Sequence, residues 1–264
     1  MKGIKMDNNP LFNLKGKTAV ITGSSRGIGK AIAIRMAQYG AKVMISSRKI
    51  DACNKVVDEI KALGGEAYAQ ECNIGSKEAL QNLCDVSYDK LGQIDILVLN
   101  AASNPYYGPL AKITDEAFDK IMNNNVKSNL WLSNMVLPKM AETGGGKAIV
   151  ISSIAGIKGS DVLGAYSISK TADLGLVRSL AVEWGSKNIT VNALCPGIIK
   201  TDFARALWEN PKILEDVEKY APLQRIGVPD EVAGAAILLA SDSGSFITGQ
   251  KIVMDGGVTI SGGG

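Results

Sequence analysis

A chain of 264 residues, 46% of them hydrophobic, is long enough to bury one large core, and nothing in it marks a second. Its 29 basic and 26 acidic residues are spread along the chain for a net charge of +3, with no basic block to track phosphates, so nucleic acid is not an expected partner. Four cysteines, Cys53, Cys72, Cys84 and Cys195, form no CxxC pair and there is no histidine; no metal site is expected, and a reduced, cytoplasmic protein fits best.

In chain order, residues 1–13 carry Lys2, Lys5, Asp7 and three asparagines but lack the apolar segment of about 7–15 residues that a signal peptide needs. They read as a loose extension ahead of a single domain over 14–264. Short β-rich runs then alternate with longer helical patterns. The runs are Thr18–Ile21, Lys42–Ser46, Glu66–Glu71, Ile94–Leu99, Lys147–Ser152, Ile189–Leu194 and Gln250–Met254. Between them, apolar periodicity predicts helices over Gly27–Tyr39, Asp51–Leu63, Ser76–Leu91, Asp115–Met140, Tyr166–Trp184 and Asp230–Ala240. Runs such as Ile94–Leu99 and Ala148–Ile151 are largely apolar on both faces, as strands covered by helices on both sides must be. The expectation is an α/β fold, a doubly wound parallel sheet of about seven strands. No segment reaches the roughly 18 apolar residues that span a bilayer.

The first strand runs into Thr22-Gly23-Ser24-Ser25-Arg26-Gly27-Ile28-Gly29, inside which a helix begins. Glycines let the backbone approach a pyrophosphate, and a helix N-terminus offers amide hydrogens and partial positive charge to an anion. Gly23, Ser25, Arg26, Gly27, Ile28 and Gly29 are therefore candidate dinucleotide contacts, although glycine turns also serve purely structural ends. A triphosphate-binding P-loop fits poorly: Ala31 follows Gly29-Lys30, and the glycine spacing is one residue too long. At the end of the second strand an acid would bind a ribose 2′-hydroxyl, but the sequence there is Ile45-Ser46-Ser47-Arg48-Lys49. Ser47 and the Arg48 guanidinium suit a 2′-phosphate, with Arg26 within reach of the same pocket, so the expected cofactor is NADP(H). The competing reading makes Arg48 and Lys49 solvated loop charges.

Tyr166 and Lys170 lie one helical turn apart, with Ser153 thirteen residues before the tyrosine. At i and i+4 they share a helix face. An ammonium beside a phenol favours the phenolate and draws its pKa below the free value of about 10, which makes tyrosine a usable acid or base near neutral pH. Taken alone, the pair also fits two neighbours on a half-exposed helix.

In sequence order, Thr22–Gly29, Asn100-Ala101-Ala102, Asn125, Ser153, Tyr166 with Lys170, and Pro196-Gly197 leading to Thr201 resemble the short-chain dehydrogenase/reductase family. The resemblance runs from about Leu14 to Thr259. Asn100-Ala101-Ala102-Ser103-Asn104-Pro105, with Ser-Ser-Arg-Lys after the second strand, is similar to the branch of NADPH-dependent carbonyl and retinal reductases; Leu99 and Ala102 depart from the family's usual Asn-Asn-Ala-Gly.

This resemblance implies a Rossmann-type fold and a set of roles. Tyr166 gives its proton to a carbonyl oxygen as hydride arrives, Ser153 holds that oxygen, and Lys170 lowers the Tyr166 pKa and binds the nicotinamide ribose. Asn125 holds a water linking Lys170 to solvent. Asn73 and Ile74 meet the adenine, Asn100 braces the strand end near the adenosine ribose, the small Ala101 lets that strand end approach the cofactor, and backbone groups of Ile199 and the hydroxyl of Thr201 meet the carboxamide in a loop shaped by Pro196 and Gly197. Residues 201–222, with Phe203, Leu207 and Trp208, form a lid that suits a hydrophobic ketone or aldehyde, and Tyr106 and Tyr107 offer an aromatic wall. A homotetramer is the expected assembly. A 3-oxoacyl-thioester reductase is the nearest competing activity, and a cofactor-binding regulatory protein without turnover is the competing class.

Overall fold

The computed structural model describes residues 11–261, the side chains of Ala206, Ile213, Asp216 and Val217 excepted. The expected N-terminal extension lies outside the described residues but for its last three, as does the end of the glycine tail.

Seven strands form one parallel sheet: β1 (Thr18–Thr22), β2 (Lys42–Ser47), β3 (Glu66–Glu71), β4 (Ile96–Leu99), β5 (Gly146–Ile151), β6 (Ile189–Pro196) and β7 (Lys251–Met254). Their order is β3-β2-β1-β4-β5-β6-β7. β1, β4 and β6 are buried along their whole length, which explains why their sequences are largely apolar on both faces. Alternate residues serve opposite faces. Ala19, Ile21, Val43, Ile45, Ile96 and Val98 pack under α1 (Gly27–Gln38), α2 (Ile50–Ala62) and α9 (Pro229–Ala240). Val20, Met44, Leu97 and Leu99 pack under α3 (Lys77–Leu91), α5 (Ser128–Glu142) and α6 (Gly164–Trp184). Each large side chain buried in these layers contributes about 1.5–3 kcal/mol.

The chain builds β1, β2 and β3 outwards, then returns to lay β4 against the other side of β1. Loops leaving β1 and β4 therefore part in opposite directions and open a crevice at the carboxyl ends of the strands, where doubly wound sheets bind their ligands.

The helix predicted over Asp115–Met140 is interrupted. α4 (Asp115–Met122) passes into a π-helical turn, Asn123–Lys127, before α5 begins. The Ser128 amide reaches back five residues to the Asn123 carbonyl. Two carbonyls in the wide turn take side-chain donors instead: Ser128 Oγ donates to Asn124 O at 2.6 Å and Asn129 Nδ2 to Asn125 O at 2.7 Å. A one-residue bulge barely disturbs apolar periodicity, so the interruption leaves no trace there. After β6, a short 3₁₀ turn (Asp202–Ala204), α7 (Arg205–Trp208) and α8 (Pro211–Tyr220) occupy the expected lid. Trp208 Nε1 ties this segment back to its own first residue by donating to Thr201 O at 2.8 Å. Among the described residues no helix is long and apolar enough to cross a membrane.

Candidate active site

The crevice is an open cleft of about 680 Å³. Its floor is the glycine loop. Gly23 and Gly27 hold φ of +65° and +57°, a region in which side chains are disfavoured, and a Cβ on Gly29 would lie 2.5 Å from both Gly23 O and Asn100 Nδ2. Bare backbone at the N-terminus of α1 is what close approach of a pyrophosphate requires. Asn100 fixes this floor by donating to Thr22 O (2.8 Å) and Gly23 O (3.1 Å), while Thr22 Oγ1 accepts from the Asn100 and Ala101 amides. Its role is to lock β1, β4 and the loop together.

Ser25, Arg26 and Ile28 line the same floor, and Ser47, Arg48 and Lys49 line the wall at the end of β2. Asp202 is the one acid among the lining residues; it forms ion pairs with Arg26 at 3.6 Å and with Arg205. Arg48 is exposed and forms no ion pair among the described residues. Asn73 and Ile74 line the far wall, although Asn73 Oδ1 also accepts the Gly75 amide of its own turn at 3.1 Å.

Tyr166, Lys170 and Thr201 close the other end of the cleft. Pro196, Gly197 and Ile199 are not among the residues that line it. Gly197 packs against Asp255, which a Cβ would meet at 2.9 Å, and Ile199 is buried under α9. These three shape the segment that presents Thr201. Tyr106 and Tyr107 form no wall either: Tyr106 donates to Pro109 O of its own loop and Tyr107 is exposed. Phe203, in the 3₁₀ turn after β6, is the aromatic beside the tyrosine, with ring centroids 6.2 Å apart.

The catalytic candidates converge on α6. Ser152 Oγ donates to Lys170 O at 2.9 Å, and Gly156 lies so near that a Cβ there would meet Lys170 O at 2.7 Å, so the segment after β5 presses Ser153 towards Tyr166. Lys170 Nζ stands 5.7 Å from the Tyr166 ring centroid and donates to Ile151 O at 2.9 Å. It also donates to Asp173 Oδ2 at 3.0 Å, both side chains being almost wholly buried. Sequence reasoning missed Asp173; an acid three residues after Lys170, immediately before the apolar Leu174 and in line with the buried Val177, was the available signal.

Burial pushes the Tyr166 phenol above its ordinary value; Lys170 opposes this, Asp173 adds to it and a hydrogen bond from Ser153 opposes it. The expected lowering by Lys170 is thus one contribution and not the net direction. Burial opposes the charge on Lys170, but Asp173 and the phenol hold its pKa above that of a free lysine.

The three asparagines of the π turn divide the work. Asn123 Nδ2 donates to Gly75 O and Asn124 Nδ2 to Ser103 Oγ. Asn125, fully buried, accepts the Ser103 amide at 2.8 Å and donates to Ser103 O and Ser169 Oγ, each at 3.0 Å. Its side chain clamps the loop after β4 onto α6.

A family model described as Enoyl-(Acyl carrier protein) reductase matches residues 23–259. Dehydrogenase/reductase SDR family member 4 of Bos taurus is 42% identical over 94% of this chain and 88% of its own length. The 7alpha-hydroxysteroid dehydrogenase of Escherichia coli K12 is 40% identical over 96% of this chain and 98% of its own. A solved 7α-hydroxysteroid dehydrogenase, in complex with NADH and 7-oxo glycochenodeoxycholic acid, superposes with a TM-score of 0.92 at 40% identity, covering 96% of this chain and 98% of that one. A putative NAD(P)-dependent gluconate 5-dehydrogenase from Beutenbergia cavernae, solved with bound NADP, gives 0.90 at 33% identity, covering 96% of this chain and all of the other (100%).

Proposed function

The chain belongs to the short-chain dehydrogenase/reductase family of oxidoreductases acting on hydroxyl and carbonyl groups, and from that premise we propose that it interconverts a hydrophobic ketone or aldehyde and its alcohol with NADP(H). The observation that carries this reading is the convergence of Tyr166, Lys170 and Ser153 at one end of a cleft whose other end is bare glycine backbone.

Gly23, Ser25, Arg26, Gly27, Ile28, Gly29, Asn73, Ile74, Asn100, Ala101 and Thr201 line the cleft and fit a dinucleotide. Ser47 and Arg48 favour a 2′-phosphate, since no acid stands at the end of β2. When bound, the nicotinamide supplies or accepts the hydride. The chain's own residues handle the proton. Tyr166, kept as a neutral phenol by burial, donates its proton to the carbonyl oxygen and takes it back in oxidation. Ser153 donates a hydrogen bond to that oxygen as negative charge grows on it. Lys170 places a fixed positive charge beside the phenol and eases loss of its proton. Asn125 holds the loop after β4 against α6 so that these groups keep their spacing.

Phe203 beside Tyr166 supports an apolar substrate, and the 7-oxo steroid ligand of the similar dehydrogenase is of that kind. Exposed Leu130 on α5 and Ile168 on α6 support pairing of copies through these helices, within a homotetramer, and four reduced cysteines suit the cytoplasm.

The test is oxidation of NADPH and NADH, followed by loss of reduced-nicotinamide absorbance, across aromatic ketones, α-dicarbonyls, retinal, a 7-oxo bile acid and a 3-oxoacyl thioester. NADPH turnover on an apolar carbonyl is the expected result. Preference for the thioester would move the assignment to an acyl reductase, and cofactor binding without turnover would replace the enzyme reading. Tyr166→Phe is expected to lower turnover at least a thousandfold while leaving cofactor affinity within about threefold; normal turnover in that variant would remove the tyrosine from the mechanism.

A further inference from the structure

Beneath the tyrosine and the lysine the chain buries one more charge. Asp173 is wholly buried (0% exposed) with Lys170 beside it at 2%. A carboxylate at that depth is costly unless it is paired and hydrogen-bonded, and here each oxygen is engaged. Oδ2 accepts Lys170 Nζ at 3.0 Å, and Oδ1 accepts Asn129 Nδ2 at 2.9 Å. Asn129 Nδ2 also donates to Asn125 O, so one amide ties the carboxylate to the π turn. With Ile151 O as its second acceptor, the ammonium is held from two directions and leaves one N–H uncommitted. Packing does not explain an acid here: Leu174 and Val177 of the same helix fill the apolar layer without any charge.

We propose that Asp173 is a positioning residue for the reaction, pinning the Lys170 ammonium and weakening the positive field that it presents to Tyr166, so that the site is biased towards donating a proton to a carbonyl. The proposal rests on the reductase reading given above. The charge arithmetic has one sign. Lys170 alone favours the phenolate; a carboxylate directly behind it favours the phenol. Among the described residues, the titratable groups around Asp173 and Lys170 are Tyr166 on the same helix and Cys195 on β6. The facing α5 contributes the neutral amide of Asn129, and β5 the Ile151 carbonyl. Nothing else there opposes the ammonium.

The test is the pH dependence of kcat for NADP⁺-linked oxidation of the alcohol formed from the fastest carbonyl probe, in wild type, Asp173→Asn and Asp173→Glu. The asparagine keeps the shape and an acceptor for Lys170 but removes the charge, so the rising limb should move to lower pH by about one unit. The glutamate keeps the charge and should leave the limb near its wild-type position even where kcat falls. A merely structural Asp173 predicts that both variants lower stability or kcat while the limb stays at its wild-type pH. An unmoved or upward-moving limb in Asp173→Asn would overturn the proposal. Absence of turnover by wild type on every probe would instead sink the reductase reading, and this inference with it.

Discussion

Replacing Gly29 by alanine tests whether the floor of the cleft is as tight as the sequence implies. The added methyl would lie 2.5 Å from Gly23 O and Asn100 Nδ2, about 0.9 Å short of an ordinary 3.4 Å contact. Neither neighbour can yield cheaply. Gly23 O is backbone, and Asn100 Nδ2 is committed to Thr22 O and Gly23 O. Overpacking of this kind costs about 1–3 kcal/mol, and weakening the two amide bonds adds about 1 kcal/mol. A loss of about 2–4 kcal/mol corresponds to a Tm lower by roughly 5–15 °C for a chain of this size. The displaced loop should also weaken dinucleotide binding at least tenfold, about 1.4 kcal/mol. Thermal melts and fluorescence titration with NADPH read both effects. Gly234→Ala is the internal control: that glycine lies exposed within α9 with open space around its Cβ, so the change should stabilise by about 0.5–1 kcal/mol. A Gly29→Ala protein melting within two degrees of wild type, with unchanged cofactor affinity, would refute the close-approach argument.

Arg48→Ala should weaken NADPH about ten- to a hundredfold, the worth of a charge-assisted phosphate contact of about 1.5–3 kcal/mol, and leave NADH nearly unchanged; equal losses in the two titrations would show that Arg48 does not read the 2′-phosphate. Thiol chemistry gives an independent check on the core. Burial pushes Cys72 up to about 11 and Cys84 up to about 12, and all four thiols are buried. At pH 8 the thiolate fraction of Cys72 is about one in a thousand and that of Cys84 about one in ten thousand, so a disulfide reagent should modify neither until the protein unfolds. Four thiols should then react at once in guanidinium, and rapid stoichiometric labelling of the folded protein at pH 8 would contradict this packing.

The architecture was legible because its signals are local. β4 announces burial on both faces by an unbroken apolar run and β1 by three apolar residues in succession, and the glycine spacing after β1 needs only the chain direction to become a floor. Tyr166 and Lys170 were legible for the same reason, one helical turn fixing their neighbourhood. The loop after β6 was less legible, because a loop motif says where the chain turns and not which of its atoms face the cleft; of Pro196, Gly197, Ile199 and Thr201, it is Thr201 that lines it. Asp173 escaped because its meaning lies across the interface between α5 and α6, where Asn129 and Lys170 meet it from different sides.

The same interface explains the asparagine run. An uninterrupted α-helix through residues 115–142 would turn about 100° per residue and spread three successive amides over about 200° of its circumference, too far apart for neighbouring partners. The π turn slows that rotation, so Asn123 reaches Gly75, Asn124 reaches the Ser103 hydroxyl, and Asn125 reaches the Ser103 backbone and Ser169. The widened turn needs donors for its carbonyls, and Ser128 and Asn129 provide them from the next turn. Asn129 then serves two purposes with one amide, satisfying the Asn125 carbonyl and orienting the Asp173 carboxylate. The departure from regular helix is therefore what couples the loop after β4 to the buried charge below Tyr166. A substitution that straightened the turn would unsettle the position of Lys170 without touching it.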